Sequence, residues 1–398
     1  MNDIPHRREV LDRLKGYAVS RAMRGFEAFV LLFSRPRKRG RDVVVVRLDA
    51  IGDFVLWLDA AKEFRRLYPS REITLLANSI WAELARELPY WDEVWSVNGQ
   101  QLRRYSVYRW KLLRALRQRG FDVAIQPTYS RVFLEGDTLV RASGARERIG
   151  SIGDDSCIHP KQKRIADRWY TQLLPASPHP MMELERNAEF MRNLGRKEFA
   201  AAIPALPKLA GLPEHLRIAM PYFILVPGAS WSGRQWPPDR FAEIANRLGR
   251  EMGLKAVICG SGDESALCQR VVEHTEVEVL NLAGQTSLLN LVELVRGARL
   301  LISNETSATH IAAAVGTPAL CILGGGHYGR FLPYEIGSNG DKGPKVVVHR
   351  MPCFGCNWNC SQPHQHGESV PCVGRIAVQD VLRAVEQAVA GVHAPSPA

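Results

Sequence analysis

Val43-Val-Val-Val-Arg-Leu-Asp-Ala-Ile-Gly-Asp-Phe-Val-Leu-Trp-Leu58 is the stretch that decides the fold of this chain. Its four consecutive valines predict a strand buried on both faces, as in a parallel sheet. Gly52 permits a tight turn, and Asp53 stands where a helix N-cap is expected, because apolar residues then resume with helical spacing. This order places Asp53 at the carboxyl edge of a sheet, where open α/β folds bind ligands. The alternative is that Asp53 only caps the helix.

Composition indicates a folded protein without a membrane span. The 398 residues suffice for two domains, and 46% of them are hydrophobic. No run approaches the ~20 apolar residues that cross a bilayer, and the N-terminus lacks the apolar core of a signal peptide. We therefore expect a cytoplasmic location, where the eight cysteines are thiols or metal ligands rather than disulfides. The net charge of +11 attracts anions. Nucleic acid is disfavoured as the partner, because the basic residues are scattered and no aromatic-interleaved basic motif occurs.

Residues 1–42 form a separate N-terminal segment. Five of the seven residues 35–41 are basic, and an apolar face recurs at helical spacing before them, formed by Leu11, Leu14, Ala18, Ala22, Phe26, Phe29 and Phe33. A basic amphipathic helix of this kind favours a peripheral position on the acidic inner leaflet of a membrane. Packing of the same helix on the protein itself is the alternative.

Strand and helix patterns alternate from residue 43 onward, which predicts doubly wound parallel sheets. A proline-rich stretch at 201–221 predicts a linker between an α/β domain at 43–200 and a second one at 222–375, with a final helix and tail at 376–398. Within the first domain we expect one basic helix over 102–119 and irregular structure over 151–180.

Two loops of the second domain have the residues of an anion site. Ser230 follows a strand among small residues that let backbone amides approach a phosphate, and Arg234 can pair with that phosphate bidentately. Farther on, Glu305-Thr306-Ser307 lead from a buried strand into a helix whose free amides favour an anion. The alternatives are a surface arginine in an ordinary loop and, for His310 in that helix, a core histidine.

The segment 324–329, Gly-Gly-Gly-His-Tyr-Gly, has the spacing of a dinucleotide-binding signature. No convincing helix follows it, as that signature requires, so a flexible loop is the better interpretation.

Together these motifs resemble glycosyltransferase family 9, the heptosyltransferase family of bacterial lipopolysaccharide assembly, over residues 43–335. The resemblance implies the GT-B fold, in which two Rossmann-like domains face a cleft, the first domain binding the acceptor and the second the nucleotide-sugar. It also implies inverting sugar transfer from a nucleotide-sugar to a lipid-linked glycan acceptor, with no metal or other cofactor required for catalysis.

The family motifs can be carried over residue by residue. The catalytic aspartate falls on Asp53, which would accept the proton of the attacking hydroxyl. The donor-binding positions fall on Gly52, Ser230, Arg234, Glu305, Thr306, Ser307 and His310. Two of them depart from the family pattern, because aspartate is usual where Glu305 stands and glycine where Ser307 stands. The alternatives are a non-catalytic nucleotide-binding, membrane-associated protein and a nucleotide-sugar epimerase on a similar fold.

The C-terminal part contains four closely spaced cysteines, Cys353, Cys356, Cys360 and Cys372. Four thiols at such spacing predict a structural zinc ion or an iron–sulfur cluster, with His364 and His366 as further candidate ligands. Unligated thiols in a cysteine-rich loop are the alternative.

Overall fold

The computed structural model describes residues 40–104, 106–336, 343–365 and 367–390, together with Gly25, Ala28 and Ser34. The predicted amphipathic helix of the N-terminal segment lies outside the described residues apart from these three positions, and so does His366. Within the described ranges, no helix combines the length and the apolar character needed to cross a membrane.

The first sheet consists of six parallel strands in the order β3-β2-β1-β4-β5-β6. The central strand β1 is buried along its whole length, as the valine run predicts. The strands are β1 (Val43–Arg47), β2 (Ile73–Asn78), β3 (Glu93–Val97), β4 (Val123–Gln126), β5 (Glu147–Ser151) and β6 (Gln172–Leu174). The helices within this part of the chain are α1 (Ile51–Ala61), α2 (Glu63–Leu67), α3 (Ala82–Arg86), α4 (Gly99–Arg103), α5 (Val107–Arg119), α6 (Thr138–Ser143) and α7 (Pro160–Asp167).

The second sheet also has six parallel strands, in the order β12-β11-β10-β7-β8-β9. When the strands of each sheet are numbered in chain order, both sheets have the order 3-2-1-4-5-6. This is the strand order of a dinucleotide-binding fold. The strands are β7 (Tyr222–Val226), β8 (Lys255–Ile258), β9 (Val279–Asn281), β10 (Leu301–Asn304), β11 (Ala319–Ile322) and β12 (Lys345–Val347). The remaining helices are α8 (Glu183–Asn193), α9 (Pro238–Met252), α10 (Ser265–Glu273), α11 (Leu288–Gly297), α12 (Ser307–Val315), α13 (Pro371–Gly374) and α14 (Val378–Ala390).

The chain divides into two compact units. Among the described residues, the first contains 40–50, Glu63–Pro178 and Glu189–Lys197, and the second contains Ile51–Lys62, His179–Ala188 and the chain from 198 onward. Helix α1 thus belongs to the second unit, where Leu56 packs with Leu323, Leu332 and Tyr334. These units differ from the two domains predicted from sequence, residues 43–200 and 222–375. That the first of these domains binds the acceptor and the second binds the donor stays a prediction.

Three local predictions are corrected. The basic helix expected over 102–119 is broken, because the Ser106 side chain accepts a hydrogen bond from the Arg109 amide and caps a new helix there. The stretch 151–180 is not irregular throughout, since it contains α7, which begins with a proline at its first position, and β6. Asp53 lies inside the first turn of α1, not at its N-cap.

A buried ion pair is enclosed within the first unit, where a π-helical turn (Phe133–Asp137) precedes α6. Arg131 Nη1 lies 3.1 Å from Asp137 Oδ1, and both side chains are fully buried. The Tyr170 hydroxyl donates to Asp137 at 2.6 Å, and Arg131 also pairs with Asp167. Burial alone would lower the pKa of Arg131, but Asp137, Tyr170 and Asp167 hold it above the ordinary value.

Candidate functional site

The start of α1 packs against the start of α12 within the second unit. A Cβ atom on Gly52 would lie 3.1 Å from His310 Cδ2 and 3.7 Å from the Ser307 Cα atom. The first of these distances is tighter than ordinary contact, so glycine is what allows the two helices to approach this closely. The contact brings the turn that carries Asp53 against the predicted donor-binding residues of α12. Two positive helix ends therefore meet here, and both favour a bound anion.

Asp53 and Asp49 are the two acidic residues of this turn, and they have different surroundings. Asp49 Oδ2 lies 2.6 Å from Nε of Arg47, which is 1% exposed. Asp53 is half-buried in the first turn of α1 and interacts electrostatically with His327. The ion pair with Arg47 makes Asp49 the poorer candidate for a general base.

Arg234 joins the two predicted donor loops. Its Nη1 donates to Ser230 Oγ at 2.9 Å, and its Nη2 donates to the Glu305 carbonyl at 2.9 Å. The same Nη2 lies 3.1 Å from Glu305 Oε2. The loop after β7 and the loop after β10 therefore converge on one guanidinium group, as the sequence predicts.

Asn304 holds these loops from beneath. Its side-chain amide donates to the Pro227 carbonyl at 2.6 Å, and its Oδ1 accepts from the Trp236 amide at 3.1 Å. Asn304 is fully buried, and both contacts are with residues distant in sequence. Its supporting role has no periodic signal in the sequence, and sequence reasoning missed it.

Several buried polar atoms in this region lack a hydrogen-bond partner within the described part of the chain. They are Arg234 Nε, Glu305 Oε2 and Thr306 Oγ1. Glu305 Oε2 forms an ion pair with Arg234, but without the geometry of a hydrogen bond. Buried polar groups without partners are costly, so native proteins retain few of them. A polar ligand that bound here would supply the missing partners.

Glu305 is 5% exposed in the folded chain. Burial raises the pKa of its carboxyl to about 7, and the neighbouring Arg234 offsets only part of that rise. The charge of this pair therefore changes near neutral pH, which would alter how strongly Arg234 attracts an anion.

His310 has the contacts of a supporting residue. Its ring stacks parallel to Tyr334, and its Nδ1 lies 2.9 Å from the Tyr334 hydroxyl. Burial lowers the pKa of His310 to about 4, so the imidazole is neutral at pH 7. His310 therefore packs as a core histidine does, which is the alternative interpretation of this residue. It also lies beside Gly52, next to the predicted donor-binding residues.

The glycine segment 324–326 is not the flexible loop expected from its sequence. All three glycines are buried. Their backbones are covered by aromatic rings, since a Cβ on Gly324 or Gly326 would lie 2.5 or 2.3 Å from Trp358, and a Cβ on Gly325 would lie 2.2 Å from Phe354. Close packing, rather than flexibility, is the reason for these glycines.

His327 is a candidate site residue that sequence reasoning missed. Burial lowers its pKa, Arg330 and Arg234 act in the same direction, and the hydrogen bond with Asn357 and the charge of Asp53 oppose the shift. The residue lies in the discounted glycine motif, so only its proximity to Arg234 and Asp53 in the fold identifies it.

The four C-terminal cysteines lie near one another. Burial raises the pKa of Cys372, and the charges of Cys353, Cys360 and Cys356 add to that effect. Cys372 Sγ instead accepts a hydrogen bond from the Gly325 amide. Within the described ranges, which omit His366, no group of three or more His, Cys, Asp or Glu side chains is arranged to hold a metal ion. The zinc or iron–sulfur site therefore stays a prediction.

Comparison with known proteins gives one family. The sequence model described as glycosyltransferase family 9 (heptosyltransferase) matches residues 109–339, which is more than half of the chain. Lipopolysaccharide heptosyltransferase 3 of Escherichia coli K12 is 24% identical over 284 residues, covering 69% of this chain and 79% of the relative. Lipopolysaccharide heptosyltransferase 1 of Pseudomonas aeruginosa is 23% identical over 327 residues, covering 79% and 85%.

A solved structure shows the same fold. The structure of E. coli ADP-heptose lipopolysaccharide heptosyltransferase II has a TM-score of 0.66 at 18% identity, covering 89% of this chain and 100% of that chain. The two six-stranded parallel sheets and this likeness confirm the predicted GT-B type of fold. The resemblance predicted from the motifs is confirmed as well.

Proposed function

This chain belongs to glycosyltransferase family 9, and from that premise we propose that it transfers a heptose or related sugar from a nucleotide-sugar to a lipopolysaccharide or related glycan acceptor. The observation that carries the proposal is the contact at Gly52, which joins the Asp53 turn to the start of α12. The names of the relatives support the substrate class, since the two relatives described above are named lipopolysaccharide heptosyltransferases and the solved neighbour is named an ADP-heptose heptosyltransferase. ADP-heptose is the donor we propose.

The donor diphosphate would bind at the Arg234 loop and the start of α12. Arg234 supplies a guanidinium group with an Nε that has no hydrogen-bond partner among the described residues. The first-turn amides of α12, near Thr306 and Ser307, supply further donors. Both groups oppose the negative charge that develops on the departing diphosphate.

The transfer itself would be a direct displacement without a metal. The Asp53 carboxylate accepts the proton of the acceptor hydroxyl as that oxygen forms a bond to the anomeric carbon. The bond from the anomeric carbon to the diphosphate oxygen breaks at the same time, and its electrons leave with the diphosphate. Attack from the face opposite the leaving group inverts the anomeric centre. Arg234 and the α12 amides supply the charge that a metal would otherwise supply, and no D-x-D motif occurs in the sequence.

Asp53→Asn tests this mechanism, because it keeps the size of the side chain and removes the base. We expect transfer from ADP-heptose to a truncated lipopolysaccharide acceptor to fall by roughly 10²–10⁴. The affinity for ADP, measured by calorimetry, should persist. Asp49→Asn is the matched control and should leave turnover much closer to that of the parent.

Loss of activity in Asp49→Asn but not in Asp53→Asn would reassign the base. Binding of ADP without transfer to any acceptor would favour the non-catalytic alternative, and conversion of a nucleotide-sugar without an acceptor would favour an epimerase.

We propose that the enzyme works as a peripheral protein on the cytoplasmic side of the inner membrane, close to a lipid-linked acceptor. The N-terminal segment of residues 1–42 supports this through its sequence. Within the described residues, the outward face of α5 supports it too, because Val107 is 67% exposed and the Arg114 guanidinium lies 5.3 Å from the Trp110 ring. Lys111 and Arg114 have no acidic partner in the described part of the chain, and each cation near acidic lipid contributes about 1 kcal/mol.

Vesicle binding tests the membrane proposal. Deleting residues 1–40 should weaken sedimentation with phosphatidylglycerol vesicles while leaving transfer to a delipidated acceptor nearly intact. Lys111→Glu with Arg114→Glu should weaken the binding further, whereas the same charge reversal at the exposed Lys197 and Lys208 is the control. Unchanged binding after the deletion would mean that the N-terminal helix packs on the protein.

A structural zinc ion or iron–sulfur cluster at the four cysteines is a separate proposal from their spacing. Elemental analysis of protein prepared without chelator should then find about one zinc per chain, or iron. The absence of both metals would favour free thiols.

A further inference from the structure

The cysteine loop, residues 353–360, is built onto the glycine segment 324–326. The Gly355 amide donates to the Gly325 carbonyl at 2.8 Å, and the Asn357 amide donates to the Gly326 carbonyl at 2.9 Å. The rings of Trp358 and Phe354 then lie on the glycine backbone, where any side chain would collide with them. Loop and glycine segment therefore form one packed unit.

Trp358 lies between Arg234 and His327. The Arg234 guanidinium carbon is 4.9 Å from the centre of the indole ring, within the range of a cation–π contact. The indole Nε1 donates to His327 Nδ1 at 3.1 Å, and His327 Nε2 lies 2.7 Å from Asn357 Oδ1. A donor at Nδ1 and an acceptor at Nε2 fix the imidazole as the neutral tautomer with its proton on Nε2.

The backbone of the loop is in an unusual conformation at this point. Asn357 has φ = 50° and Trp358 has φ = 62°, two consecutive left-handed residues that are not glycine. Side chains disfavour this region, and such residues persist only where the surroundings hold them, often at functional sites. Here the conformation is what directs Trp358 and the Asn357 amide toward Arg234 and His327.

The chain that follows the cysteine loop holds the Arg234 loop on both sides of the arginine. The Val370 amide donates to the Gly233 carbonyl at 2.9 Å, and the Ser369 hydroxyl donates to the Gln235 carbonyl. The Trp236 indole donates to the Ile376 carbonyl at 3.0 Å. The C-terminal part of the chain therefore fixes both the backbone and the guanidinium of Arg234.

We propose that the cysteine loop completes the donor site and that Trp358 is a positioning residue, which holds Arg234 for the diphosphate of the nucleotide-sugar and orients His327. The inference rests on the proposed function, because it assigns the ligand of Arg234 to the donor. It gives the cysteine-rich stretch a role in donor recognition that does not depend on whether the thiols bind a metal.

A pair of variants separates the effect of the aromatic ring of Trp358 from the effect of its packing on the glycines. Trp358→Leu and Trp358→Phe both fill the space above the glycines, and both lose the hydrogen bond to His327, but only phenylalanine offers a π face to Arg234. We expect the Kd for ADP to rise roughly tenfold in the leucine variant and to stay within about threefold of the parent in the phenylalanine variant. Asn359→Ala, a change at the exposed neighbour, should leave the Kd unchanged.

A second measurement uses the unmodified full-length chain. Saturating ADP should slow amide hydrogen exchange at residues 353–360, and in the parent the ¹⁵N shifts of His327 should show the Nε2-protonated tautomer. Equal ADP affinity in the leucine variant and the parent, equal weakening in both variants, or no protection of the loop by ADP would overturn the inference. Arg234→Ala separates this from failure of the proposed function. If Arg234→Ala also binds ADP like the parent, the donor assignment itself is wrong. If Arg234→Ala weakens ADP binding but the Trp358 variants do not, only the positioning role is wrong.

Discussion

Arg131–Asp137 in the first unit and Arg234–Glu305 in the second are both buried arginine–carboxylate pairs, but their neighbours differ. The Arg131 pair is 0% exposed on both sides and has a second carboxylate, Asp167, and a tyrosine hydroxyl as partners. Arg234 is 15% exposed, and its further contacts are a hydroxyl, a carbonyl and an aromatic ring.

Buried atoms without hydrogen-bond partners do not distinguish the two pairs. Within the described residues, Arg131 Nε and Asp137 Oδ2 lack such partners, and so does Arg234 Nε. Access and charge distinguish them. The charge of Arg131 is balanced by the fully buried Asp137 and by Asp167, and no ligand can reach Arg131 or Asp137, so the pair holds the fold. The charge of Arg234 is balanced by one carboxylate whose raised pKa of about 7 weakens that balance, and its side chain can be reached from outside.

The largest expected effect is on stability at Arg131. Arg131→Ala would leave Asp137 buried without its cation, which should lower the free energy of unfolding by about 3–5 kcal/mol in a denaturant titration. Arg146→Ala, at an exposed ion pair of the same unit, should cost no more than about 1 kcal/mol. A change in ADP affinity without loss of stability in Arg131→Ala would break the comparison.

The converse is expected at Arg234. Arg234→Ala should raise the Kd for ADP by about 10- to 100-fold, because charge-assisted hydrogen bonds contribute about 1.5–3 kcal/mol. Its unfolding midpoint should fall by less than that of Arg131→Ala, because the buried Glu305 carboxyl already binds a proton near neutral pH, and Arg247→Ala on the surface of α9 should change neither quantity. Superimposable calorimetric titrations for Arg234→Ala and the parent would remove Arg234 from the donor site.

The pH dependence of stability tests the raised pKa of Glu305. The pKa of Glu305 is raised from 4.5 to about 7, so the native state retains a proton that the unfolded state loses between these values. The stability contributed by this residue is therefore complete below pH 4.5 and is lost as pH rises toward 7. Glu305→Gln should become more stable relative to the parent across this window, by about 3 kcal/mol, since the pKa rises from 4.5 to about 7 and one pKa unit corresponds to about 1.4 kcal/mol. A constant difference from pH 4 to pH 8 would contradict the raised pKa.

The smallest expected effect follows loss of the Tyr170 hydroxyl, which donates a hydrogen bond to Asp137. Tyr170→Phe removes the donor to Asp137 and should lower the free energy of unfolding by about 1 kcal/mol, with ADP affinity unchanged. Tyr129→Phe, which removes a partly buried hydroxyl that donates to the Ser177 carbonyl, is the control and should cost less. An equal loss in the two variants would mean that Asp137 does not depend on Tyr170.

Much of the fold could be predicted from sequence because its signals are local. The valine run of β1 and the alternation of strands and helices are readable within a few residues, and so are the turns at Asp53 and Thr306. The break at Ser106 and the start of α7 at Pro160 also have local signals, a capping serine and an N-terminal proline, which could have been used.

The rest of the candidate site depends on contacts between distant parts of the chain. Nothing near Trp358 in the sequence indicates that it lies over Arg234, and nothing near Gly324 indicates that rings cover it. The assignment of α1 to the second unit follows from packing of Leu56, not from chain order. Tertiary contacts of this kind have no period, so sequence reasoning could identify the loops but not the residues that hold them.

The place of residues 353–385 in the second unit has a consequence for biosynthesis. Val370, Val373, Ile376, Val381 and Val385 belong to the same apolar core as Phe223 and Trp236. A ribosome synthesises these residues after the rest of the second core, so a nascent chain cannot bury that core or place Trp358 over Arg234 until they have emerged. We expect an arrested chain that ends before residue 353 to have a folded first sheet but no capacity to bind ADP. Activity would thus begin only after residues 353–385 have left the ribosome, and termination before residue 353 would yield an inactive, protease-sensitive product.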